Sequence, residues 1–93
     1  MESLVLGFLH ITRLHGPLDP VIAEYRLVFA PLNGRLHNRH AQCQGLDALT
    51  DFLLQAGVPL REIEQAWQNL AKRWIYSVPR VALTHAQIEA LGL

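Results

Sequence analysis

The sequence predicts an α+β fold, with a three-stranded antiparallel sheet followed by a helical hairpin and a short C-terminal helix. Three observations carry this expectation. Apolar residues run or alternate in strand fashion through Ala30; after Gly45 their spacing changes to three and four; and Thr84 with Gln87 forms a capping-box pattern near the end. Strands first and helices second is the order of the α+β class.

Ser3 to Leu14 (SLVLGFLHITRL) carries apolar side chains on both alternate sets, as a strand central in a sheet does. His15 to Pro20 (HGPLDP) is dense in turn chemistry, so the chain must reverse there. Val21 to Ala30 alternates clearly, with Val21, Ala23, Tyr25, Leu27 and Phe29 on one face and Glu24 and Arg26 on the other, which predicts a half-buried second strand. Asn33 and Gly34 form the pair favoured in tight hairpins because both tolerate positive φ. Arg35 to Gln44 then returns as a third strand, polar on both faces and suited to a sheet edge.

Leu46, Leu49, Phe52, Leu53 and Ala56 recur at helical spacing, with Asp47 in the first turn and Gly57 where a left-handed residue ends a helix. Pro59 suits the first position of a second helix. Its apolar stripe is Leu60, Ile63, Trp67, Leu70 and Trp74, which predicts a helix from Pro59 through Trp74. Ser77 to Leu83 (SVPRVAL), interrupted by Pro79, reads as an extended crossing or a brief strand, and the capping box opens a last helical turn or two.

At 93 residues the chain, 1–93, is one small domain. With 51% hydrophobic and 17% charged residues it is more apolar than average, and the excess points to surface that another molecule covers, a second copy first of all. Eight basic and eight acidic residues balance, so no overall field draws it to nucleic acid or to a membrane. Six of the eight cations nevertheless fall in two acid-free stretches, Arg26 to Arg39 and Lys72 to Arg80. A single cysteine excludes an internal disulfide and fits a reducing compartment, no apolar run reaches the roughly 18 residues of a membrane span, and Met1 to His10 lacks a leader's pattern; the expected location is cytoplasmic.

Four constellations are candidates for chemistry. His37, His40 and Cys43 have metal-ligand residue types, which makes metal binding through them a third reading of the function; on a strand, however, residues three apart face opposite ways, so no metal or other cofactor is the expectation. Cys43 with a histidine base is raw material for a nucleophile without the third group and oxyanion donors that catalysis needs, so the chain is not expected to be an enzyme. Residues 46–73 resemble the spacing of a helix-turn-helix, although Leu53 stands where a small residue usually sits and Glu62 and Glu64 would repel phosphate. Nucleic-acid binding through that hairpin or through Arg61, Lys72, Arg73 and Arg80 is the second reading. The first is a small non-catalytic regulatory or adaptor protein binding another protein, and possible as a homodimer, through an arginine-bearing edge and a tryptophan-lined helix. Its candidate residues are Arg35, Arg39, Trp67, Trp74 and Tyr76, of the types that dominate interfaces.

Overall fold

A computed structural model describes residues 3–14, 19 and 21–93. The elements are β1 (Leu4–Arg13), β2 (Glu24–Pro31), β3 (Arg39–Gln44), α1 (Leu46–Gln55), α2 (Leu60–Lys72), β4 (Ile75–Thr84) and α3 (His85–Ala90). They form one sheet in the order β3-β2-β1-β4, with every neighbouring pair antiparallel.

The α+β class and the helical hairpin are as the sequence predicts, but the sheet has four strands rather than three. The fourth is β4, whose Ile75, Tyr76, Val78, Val81 and Thr84 are good strand formers. Pro79 is accommodated because β4 is an edge strand and carries a bulge at that point. Gly7 pairs with Val81 and Leu9 with Val78, so Pro79 and Arg80 together oppose Phe8. Arg80 absorbs the extra residue with φ 57°, a left-handed conformation that is costly for any side chain beyond glycine.

β1 is central, flanked by β2 and β4, which agrees with its apolar character on both faces. Leu9, Ile11, Tyr25, Leu27, Phe29 and Leu83 point to the side that the helices cover and are fully buried there. They pack with Leu49 and Leu53 of α1, Ile63, Ala66 and Leu70 of α2, and Ile88 of α3. Val21 lies outside β2 and is exposed. The turn expected at residues 15–20 falls outside the described residues except for Asp19, whose Oδ1 accepts from the Val21 N–H at 2.9 Å.

The Asn33-Gly34 pair is not a two-residue hairpin. The β2–β3 ladder starts only where Phe29 meets Arg39, so Ala30 and Pro31 pair with β1 alone, residues 32–38 form the connection, and β3 begins at Arg39 instead of Arg35. Asn33 works differently from expectation: its Oδ1 accepts from the Arg35 N–H and its carbonyl from the Leu36 N–H, each at 3.0 Å. That is a turn held by an asparagine side chain, and it needs no positive φ.

α1 ends with Gly57 at φ 77°, while the Val58 N–H reaches the Leu53 carbonyl at 3.0 Å. Pro59 caps α2 from outside the helix. α2 stops at Lys72 because Arg73 turns extended, so Trp74 is not on the helix as the seven-residue spacing suggested. The capping box is present: the Gln87 N–H donates to Thr84 Oγ1 and the Thr84 N–H to Gln87 Oε1. No helix among the described residues is long and apolar enough to cross a membrane.

Candidate functional site

Because the strands are antiparallel, the start of β1, the end of β2, the start of β3 and the end of β4 meet at one end of the sheet. The loop after β2 and the start of α3 flank a cleft there of about 330 Å3. Val5, Phe29 and Ile88 supply its apolar floor. Arg35, His37, Asn38 and Arg39 from the loop and β3, with His85 from α3, supply its polar wall.

Among the described residues, no aspartate or glutamate lines this cleft. Two guanidinium groups that stay charged at any physiological pH therefore stand over apolar ground, with no acid beside them in the cleft among the described residues. Such a site favours a ligand group that is anionic at one end and apolar at the other. The asparagine-held turn at 33–36 fixes the backbone that presents Arg35.

The other candidate interface residues lie elsewhere. Trp67 is half buried between α1 and α2, where its Nε1 donates to Thr50 Oγ1 at 3.0 Å and that hydroxyl donates on to the Leu46 carbonyl at 2.7 Å. Tyr76 donates its hydroxyl to Glu62 Oε2 at 2.9 Å and so ties β4 to α2. Burial first, and then the hydrogen bond and charge of Glu62, push the Tyr76 phenol up to about 12. Trp74 is 41% exposed and lies 4.4 Å beneath the guanidinium of Arg13, at the opposite end of β1 from the cleft. A ten-residue strand makes that separation about 30 Å. The five residues thus do not make one surface; Arg35 and Arg39 converge, and the three aromatics do not join them.

The cations of the nucleic-acid reading are divided too. Arg80 sits at the bulge beside Pro59 and Glu62, at the N-terminal end of α2 with Arg61. Lys72 is at its C-terminal end, about 16 Å from Arg61 along the helix. The acid-free stretches do not form one surface either: Arg39 lies at the cleft end of the sheet, whereas Arg26 and Arg73 lie toward the other.

His37, His40 and Cys43 do not assemble a site. His37 lies in the loop, while β3 places His40 opposite Val28 and Cys43 opposite the buried Tyr25, on different faces. Among the described residues no three histidine, cysteine or acidic side chains gather as metal ligands would. Burial pushes the Cys43 thiol up to about 11, which keeps it protonated and poorly nucleophilic at neutral pH.

No family model, curated protein or solved structure matches this chain. The functional reading therefore rests on the cleft itself. Val5, Phe29, His85 and Ile88 were not among the residues that sequence reasoning singled out for it. They come from three separate elements up to eighty residues apart, and no local pattern joins them.

The raised thiol and phenol make stability sensitive to alkali. Folding raises Cys43 from 9.0 to about 11 and Tyr76 from 10.0 to about 12. A group raised in this way favours the folded state fully below its ordinary value and loses that contribution as pH rises through the folded value. Urea unfolding is expected to show no loss from these two groups below pH 9.0, and a progressive loss between there and about 12. Cys43→Ala should abolish the lower part of that loss; an unchanged profile in the variant would refute the assignment.

Proposed function

We propose that the chain is a small non-catalytic regulatory or adaptor protein that binds another protein, whose acidic and apolar segment docks at the arginine-rimmed cleft. The observation that carries this reading is the pairing of Arg35 and Arg39 over an apolar floor, with no acid among the described lining residues. The protonated Cys43 supports a binding role over nucleophilic chemistry. A cytoplasmic location fits the single thiol.

The division of Arg61, Lys72, Arg73 and Arg80 between distant places weighs against nucleic acid, which is held best by a continuous run of cations. The test is affinity for a partner co-purified from native lysate. Replacing Arg35 and Arg39 together by glutamate is expected to weaken that complex by about 100-fold, as loss of two interface arginines facing acids does. Replacing Lys72 and Arg73 in the same way should leave it nearly unchanged. Equal binding by the wild type and the Arg35/Arg39 variant would overturn the proposal.

A further inference from the structure

The three helices cover one face of the sheet, and the other is left open to solvent. Strand register puts Leu4, Leu6 and Phe8 of β1 on that face, beside Val28 and Ala30 of β2 and Ala82 of β4. Leu4 is 59% exposed, Leu6 51% and Phe8 39%. Leu32 joins them from the loop, where its N–H donates to the Leu6 carbonyl at 2.9 Å and its side chain stays exposed. At the far rim of the same face, Ile75 pairs with Thr12 and is 61% exposed. Large apolar side chains in contiguous rows are uncommon on the surface of a protein that works as a monomer.

We infer that this open face is a self-association surface, on which two copies of the chain pack sheet to sheet about a two-fold axis. Area is the first argument. Strands of ten, eight, six and ten residues about 4.8 Å apart give a flat footprint on the order of 540 Å2, before side-chain relief and Leu32 are counted, against roughly 800 Å2 per partner in a stable interface.

Charge is the second. Among the described residues of β1, β2 and β3, the formally charged side chains on this face are Glu24 and Arg26, two positions apart on one strand and of opposite sign. A two-fold axis can set the acid of one copy against the base of the other, and the chain's balance of eight and eight brings no net repulsion. A polyanion or an anionic membrane would meet too little positive charge on this surface to be held.

The polar groups within the apolar rows are also inexpensive to cover. His10 Nδ1 and Ser77 Oγ are hydrogen-bonded to each other at 2.7 Å, so burial strands neither of these atoms. The Phe8 and His10 rings stack on one another at 6.1 Å and present a flat surface. The arginine-rimmed cleft adjoins this face at one end, where Val5, Leu36 and His85 of the cleft also border a hollow with Leu4, Leu6 and Leu32.

The test is sedimentation of the whole chain across the micromolar range. The wild type is expected to dimerise, and Leu6→Glu to weaken the dimer on the order of 100-fold while the far-ultraviolet dichroism stays the same. Leu60→Glu, on the exposed face of α2, is expected to leave the dimer intact. Ile75→Glu, on the far rim of the sheet face, serves as the second variant should Leu6→Glu fail to fold, and it too should weaken the dimer. A wild type that stays monomeric, or a dimer that persists in the folded sheet-face variants, would overturn the inference, as would one lost in Leu60→Glu alone.

Discussion

Gly7→Ala is expected to cost about 2 kcal/mol or more of unfolding free energy, an overpacking penalty with little room for relief. A Cβ at this position would sit 2.5 Å from the Ala30 carbonyl oxygen, and 3.0 Å from both its carbon and the Phe29 ring. Two of those three atoms are backbone. They belong to β2, which is hydrogen-bonded to β1 on one side and to β3 on the other, so the strand cannot step aside without breaking a ladder. The position also adjoins the bulge at which β4 changes register. Urea denaturation measures the effect directly, and Gly34→Ala is the matched control because nothing lies within 4 Å of its added carbon. A loss at Gly7 no larger than that at Gly34 would show that the two strands are not held so closely.

Arg13→Met is expected to act in the opposite direction and raise stability by about 1–3 kcal/mol. Arg13 is only 6% exposed, and its Nε and Nη1 find no hydrogen-bond acceptor among the described residues. Each such buried donor costs roughly 1–3 kcal/mol, and the cation stacked on Trp74 returns only about 0.5–2 kcal/mol. Methionine keeps most of the length and fills the same space without the charge, an exchange that is often stabilising. The backbone bond from the Arg13 N–H to the Trp74 carbonyl, at 2.7 Å, survives the substitution.

A second readout separates charge from packing. Burial pushes the Tyr25 phenol up, while the positive charge of Arg13 pulls it down. Removing the guanidinium should therefore raise Tyr25 further, seen as a delayed tyrosinate absorbance on titration with base. Loss of stability with an unmoved Tyr25 would mean that the guanidinium is held by partners of its own.

The first half of the fold was legible because strand alternation is local. Ala23, Tyr25, Leu27 and Phe29 were assigned to one buried face from spacing alone, and all four are buried. Leu49, Leu53, Ile63 and Leu70 were legible for the same reason in the helical period. β4 was hidden by its own irregularity: Pro79 and the left-handed Arg80 insert a residue and shift the alternation midway, so neither half looks long enough to be a strand. Trp74 was drawn into α2 by a spacing of seven from Trp67, although the backbone has already turned extended at Arg73.

The site was legible only in part. Arg35 and Arg39 share a short acid-free segment, which sequence can show. Their meeting with His85 and Ile88 depends on β4 carrying the C-terminal segment back to the start of β1, and nothing in residues 35 to 39 encodes that return.

The same return governs how the molecule must be made. Leu4 to Thr12 pair along one side with residues 75–84, which are made well after them. Until residues 75–84 have been made, one edge of this leucine-rich strand has no partner, and an open apolar edge is a template for pairing with another chain. A chain that stops before or within β4 would make that transient condition permanent. A prematurely terminated chain should therefore be a sticky species cleared by chaperones and proteases, rather than a smaller working version of the protein.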